Sequence, residues 1–194
     1  MFEPISIEAT VIIFYYFRSK KNPMKQSILS KILLSLSISS FVIWLGSYIA
    51  RHLLIYQLFE PLNLNLRNIY NAQNLTTVFE TLAPVILANL ISFPSFLILF
   101  LLSIATSKIK IKSEGWLFII LMLVIITSPF ELYLSLYDLK IVKLLYANSF
   151  DVSEVVELIR KRLVSLSSFP LIEIFSYLAA IFIVIFKPLR KSEN

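Results

Sequence analysis

The chain has 194 residues, of which 58% are hydrophobic and only 15% are charged, and its formal net charge is +6 at pH 7. Soluble domains are about 45–50% apolar and about 25% charged, so this composition excludes an ordinary water-soluble domain. A basic chain can indicate nucleic-acid binding, but here Lys and Arg flank long apolar blocks, where membrane topology explains them better. The absence of cysteine excludes disulfides and thiolate metal sites within the chain.

The apolar blocks predict an all-α, polytopic membrane bundle with four transmembrane helices and no separate soluble domain. A helix needs about 20 apolar residues to cross about 30 Å of hydrocarbon. The clearest candidate, 81–107, contains no charged residue. By the same criterion the sequence predicts three further spans, at 32–50, 115–137 and 163–186.

The N-terminal segment 2–17 is apolar but short, and it contains Pro4 and Glu8. Two interpretations stay open for it: a short fifth span or an interfacial helix. Within it, Glu3 and Glu8 precede the apolar run 11–17, and basic residues follow that run, which is the reverse of a secretory signal peptide. We therefore expect its start to lie outside the cell if it crosses the membrane.

The distribution of basic residues predicts the orientation of the spans. Eleven Lys and Arg residues fall on the side of the chain's C-terminus, and seven fall in the connectors 51–80 and 138–162. Because positive charge favours the cytoplasmic side, we expect both connectors outside and the C-terminus in the cytoplasm, in the cell membrane. Within 138–162 we expect an amphipathic stretch lying on the membrane, then a helix that begins at Asp151 and runs into the last span. The cluster Arg160 to Arg162 opposes this orientation.

Two glutamates, Glu131 and Glu173, fall inside predicted spans. A carboxylate at bilayer depth costs a few kcal/mol, so such residues usually face the interior of a bundle. Thr127 and Asp138 share the helical face of Glu131 at offsets of four and seven. One hypothesis is a proton- or cation-binding carboxylate pair, and the other is two hydrated carboxyl groups near the headgroups.

Two further features are candidates for interaction or modification. Ser35, Ser39, Gly46 and Ala50 share one face of the span 32–50, and small faces let membrane helices approach closely. This face is predicted to pack either against a partner or within the bundle itself. Asn74 begins an Asn-Leu-Thr glycosylation sequon in the connector predicted to lie outside.

The chain contains no nucleophile, zinc or nucleotide motif, and its two glycines cannot form a glycine-rich phosphate loop. We therefore expect a non-catalytic protein with no cofactor, no metal and no nucleic-acid partner. The leading prediction is a subunit or scaffold that associates with other membrane proteins or with itself in the bilayer. The alternatives are a small transporter or channel using Glu131 and Glu173, and a membrane sensor module.

Overall fold

The computed structural model describes residues 27–60, 63–107, 109, 111, 114–147 and 150–189. This part of the chain folds into five α-helices, and the prediction of an all-α bundle is confirmed. In chain order the helices are α1 (Ile28–Leu58), α2 (Ala72–Thr106), α3 (Gly115–Leu145), α4 (Val152–Val164) and α5 (Phe169–Phe186).

Four of these helices, α1, α2, α3 and α5, are long and apolar enough to cross a membrane. They correspond to the four predicted spans, whereas the N-terminal segment 2–17 lies outside the described residues. The predicted span 163–186 does not form one helix, however. Helix α4 ends at Val164, and α5 begins at Phe169.

The break between α4 and α5 has a local cause. Pro170 occupies the first turn of α5, and a proline disfavours helical backbone at the residue before it while supporting a helix start. Leu166, in the intervening turn, has a φ of 137°, a conformation that residues other than glycine rarely adopt. The prediction of a continuous helix from Asp151 into the last span is therefore wrong.

The first three helices extend well past the predicted spans. Helix α1 continues from Arg51 to Leu58, and α3 continues through Asp138 to Leu145, in segments expected to belong to the connectors. The stretch after Asp138 is thus the end of α3 rather than a separate helix on the membrane surface. The predicted spans end directly before Arg51 and Asp138, because a charged residue usually marks the membrane surface. In the structure these two residues are buried and paired with each other, so the helices continue past them.

The interior of the bundle consists of two apolar layers. Helices α1 and α2 pack along each other, and Asn89 donates a hydrogen bond from Nδ2 to Oγ of Ser47 across this interface. The layer near α4 joins the ends of α1, α2 and α3 to one face of α4; it includes Ile55, Phe79, Ile141, Val155 and Ile159. The opposite layer is aromatic and includes Trp44, Phe93, Phe96, Trp116 and Tyr177.

A buried charge cluster as the candidate functional site

Five ionisable side chains meet between the two apolar layers, and we call them the charge cluster. They are Arg51 on α1, Glu131 and Asp138 on α3, Arg162 on α4, and Glu173 on α5, and each is at most 3% exposed. Removing charges from water costs several kcal/mol per ion unless they are well paired. The pairing within the cluster therefore decides what it can do.

Asp138 lies between the two guanidinium groups. Its Oδ2 is 2.6 Å from Nη1 of Arg51, which donates a hydrogen bond to it. Its Oδ1 is 2.8 Å from Nε of Arg162. The hydrogen on Nε of Arg162 does not point at Oδ1 of Asp138, so this contact is a close ion pair rather than a well-directed hydrogen bond. One carboxylate thus joins α1, α3 and α4.

Glu131 lies about two helical turns before Asp138 on the same face of α3. Its Oε1 is 4.0 Å from Nη2 of Arg51 and 3.7 Å from Nη2 of Arg162. Its Oε2 accepts a hydrogen bond of 3.1 Å from the hydroxyl of Tyr48. Glu131 is therefore held by looser ion pairs than Asp138 and by one neutral donor.

His52 completes the surroundings of Arg162. Its Nδ1 is 2.8 Å from the carbonyl oxygen of Tyr48, and its Nε2 is 3.4 Å from Nη1 of Arg162. Because a carbonyl only accepts, these partners assign the proton to Nδ1 and leave Nε2 as an acceptor for the guanidinium. Burial lowers the pKa of Arg162, but the Asp138 and Glu131 carboxylates outweigh it and hold the pKa above its ordinary value.

Glu173 differs from the other members of the cluster. It is fully buried beside Glu131 and Tyr48, yet neither of its carboxyl oxygens makes a hydrogen bond of good geometry with the described part of the chain. The cluster therefore holds three carboxyl groups and two guanidinium groups, and the third carboxyl has no cation of its own. A bare carboxylate in this position would carry the full cost of its desolvation.

On the side away from α4, Tyr177 covers the cluster. Its hydroxyl lies 3.0 Å from Oγ1 of Thr127, and its ring packs against Trp44 with a centroid separation of 5.0 Å. Beyond Tyr177 an apolar cavity of about 410 Å³ lies between α1, α2, α3 and α5. Both sides of the charge cluster are thus closed by apolar or aromatic side chains in this structure.

The structure brings the predicted pair, Glu131 and Glu173, into one site, but it surrounds them with groups that the sequence did not point to. Arg51 directly follows the predicted span 32–50, where a charged residue normally marks the membrane surface, and Arg162 belongs to the basic cluster that opposes the expected orientation. Asp138 is the exception, because the sequence already indicates that it shares the helical face of Glu131 at an offset of seven residues.

The four small residues predicted to pack together lie on the outer surface of α1. Ser35, Ser39, Gly46 and Ala50 are all exposed, and a Cβ added at Gly46 would have no atom within 4 Å. They therefore do not pack within the described bundle. A contact of this face with a partner stays a prediction.

Asn74 is exposed in the first turn of α2, where its side chain forms part of the helix cap. Its Oδ1 accepts from the backbone of Asn71, and its Nδ2 donates to the carbonyl of Ile69, each at 2.8 Å. The amide nitrogen that glycosylation would modify is thus bonded within the folded chain, and its modification stays a prediction.

Within the described ranges, no group of three or more His, Cys, Asp or Glu side chains could hold a metal ion. The two guanidinium groups would in addition repel a metal ion from the three carboxyl groups of the cluster. No family model matches this chain, and no curated protein or solved structure is detectably similar to it.

Proposed function

We propose that this membrane protein is a small proton-coupled transporter or channel in which Glu173 binds and releases the proton. The observation that carries the proposal is the burial of Glu173 without a hydrogen-bonded or cationic partner of its own in the described bundle. Intramembrane ionisable residues commonly mark ion pathways and proton relays.

Charge balance supports a proton at this site. Asp138 and Glu131 offset the two guanidinium groups, so a proton on Glu173 makes the cluster electrically neutral. A proton needs no cavity and no set of ligands, whereas a metal ion needs both. Tyr48, which donates to Glu131 and lies beside Glu173, is placed to exchange hydrogen bonds between the two carboxyl groups.

The depth of the cluster also suits this role. Trp116 lies at the start of α3, and Tyr133 lies about 26 Å further along the helix, a separation close to the thickness of the hydrocarbon layer. We take these two aromatic residues to mark the membrane interfaces, so we expect Glu131 just inside the hydrocarbon layer and Asp138 at the headgroup level next to α4. The bias of basic residues favours the α4 end outside and the C-terminus in the cytoplasm of a cell.

The direct test is proton flux in liposomes that contain the purified protein and a trapped pH indicator. We expect the wild-type protein to conduct protons under an imposed potential and Glu173→Gln to lose most of this flux. Glu80→Gln is the matched control, because Glu80 is exposed on α2 and its flux should equal that of the wild type. Absence of flux in the wild type, or equal flux in Glu173→Gln, would rule the proposal out.

A second candidate function is a non-catalytic subunit or scaffold of a membrane complex. The observation that favours it is the exposed small face of α1, Ser35, Ser39, Gly46 and Ala50, which leaves room for the backbone of another helix to approach. The two candidates are compatible, because this face lies on the outside of the bundle and the charge cluster inside it.

A further inference from the structure

Helix α4 differs from the other helices in both length and pattern. It has 13 residues, and it is the helix of the described part that is too short to span a membrane. One face buries Val155, Val156, Ile159 and Leu163 against the ends of the long helices. The opposite face carries Glu157, which forms exposed ion pairs with Arg160 and Lys161.

Arg162 connects α4 to the charge cluster. Three nitrogens of its guanidinium reach three different side chains: Nε reaches Asp138 at 2.8 Å, Nη2 reaches Glu131 at 3.7 Å, and Nη1 reaches His52 at 3.4 Å. These partners belong to α1 and α3. Together they surround the guanidinium group on three sides, with ion pairs to the two carboxylates and a 3.4 Å contact to the imidazole.

We propose that α4 is the gate between the charge cluster and the water beyond it, and that Arg162 is the latch, a tethered guanidinium held by His52, Glu131 and Asp138. While the latch is seated, the apolar face of α4 covers the carboxyl groups. When it leaves, the pocket opens toward the α4 end of the bundle. The purpose of the gate rests on the proposed proton function, but its existence does not.

The latch depends on the charges that face Arg162 from every helix around it. Helix α1 contributes Tyr48, Arg51 and His52, α3 contributes Glu131 and Asp138, and α5 contributes Glu173. Arg51 competes with Arg162 for the same two carboxylates, since it contacts both of them. A proton transferred from Glu173 to Glu131 removes one of the two charges that hold Arg162, so proton movement and latch release are coupled.

The turn that joins α4 to α5 provides the hinge. It contains Leu166 at a φ of 137°, and its backbone is held by short-range bonds from Ser165 to Lys161 and from Phe169 to Leu166. A strained residue favours a change of backbone conformation once the surrounding contacts are released. The Oγ of Ser165 also donates to the hydroxyl of Tyr137 at 3.2 Å, which fixes the closed position on α3.

The absence of cysteine from the chain makes the gate directly testable by cysteine accessibility. Ile159→Cys places a thiol under α4, where the native side chain is 1% exposed. We expect a water-soluble maleimide to label this thiol about tenfold faster when Arg162→Ala is added, because local opening becomes less costly. Arg160→Ala is the matched control, since Arg160 is partly exposed, pairs with Glu157 and lies outside the cluster, and it should leave the labelling rate unchanged.

Two additions keep the test decisive. Val155→Cys, also under α4, serves if Ile159→Cys does not fold, and Arg162→Lys should give an intermediate rate because an ammonium group cannot reach all three partners at once. Equal labelling in Arg162→Ala and Arg160→Ala would overturn the gate. Faster labelling in Arg162→Ala together with absent proton flux in the wild type would retain the gate and reject the proton function.

Discussion

Asp138 is the residue on which the pairing of the charge cluster depends, because its two oxygens lie 2.6 and 2.8 Å from the two guanidinium groups. No other carboxyl in the described bundle contacts both arginines so closely. Loss of its charge would leave Arg51 and Arg162 with the more distant Glu131 as their remaining anionic partner. The energetic consequence follows from the burial of all three groups.

We predict that Asp138→Asn lowers the free energy of unfolding by about 3–5 kcal/mol, the range for breaking one partner of a buried ion pair. Thermal unfolding in mild detergent is the measurement. Asp151→Asn is the matched control, because Asp151 is an exposed N-cap of α4 and Asn caps helices equally well. Equal stability of the two variants would contradict the account of the cluster.

At the level of single residues, the sequence indicated the intramembrane carboxyl groups but not the guanidinium groups that pair with the cluster's carboxylates. Glu131 and Glu173 stand out because carboxyl groups are rare in apolar helices. Arg51 and Asp138 are 87 residues apart, and each lies near the end of an apolar block, where a charged residue normally marks the membrane surface. Only the packing of α1 against the rest of the bundle shows that they meet.

The helices were predicted better than their ends. The existence of the four spanning helices follows from apolar length alone, whereas α1, α2 and α3 continue past the predicted spans by one to three turns. Their extensions bury one face against α4 and leave the other exposed, so they lack the uniform hydropathy that marks a span. The break before Pro170 was readable from the proline, but the helical pattern of α4 obscured it.

The exposed face of α1 leads to a prediction about association. Ala50→Leu places a larger side chain on the face of small residues that the bundle does not cover, so we expect unchanged thermal stability. The same change keeps another helix from approaching closely, so we expect weaker association with a partner or a second copy. Ala179→Leu makes the same change at an exposed position of α5 and serves as the control. The particle mass in mild detergent, measured for both variants, tests this.

An equal particle mass for wild type, Ala50→Leu and Ala179→Leu would contradict the use of this face for association. A lower mass for Ala50→Leu alone would support the subunit or scaffold function. Neither outcome bears on the charge cluster, because Ala50 is exposed on the outside of the bundle whereas Arg51 is buried inside it.

The whole molecule is a bundle in which a polar layer is enclosed between two apolar layers. The layer near α4 closes it from one aqueous side, and Tyr177 with the aromatic layer closes it from the other. Such an arrangement isolates the cluster from water on both sides, so its net charge must be balanced internally. Two guanidinium groups and three carboxyl groups balance only if one carboxyl is neutral.

The most direct measurement is infrared spectroscopy of the protein in membranes at pH 7, observing the C=O stretch of a protonated carboxyl group. We predict that the wild-type protein shows this band, that Glu173→Gln removes it, and that Glu80→Gln retains it. A wild-type spectrum without the band, or a band that persists in Glu173→Gln, would contradict the claim that Glu173 holds the proton.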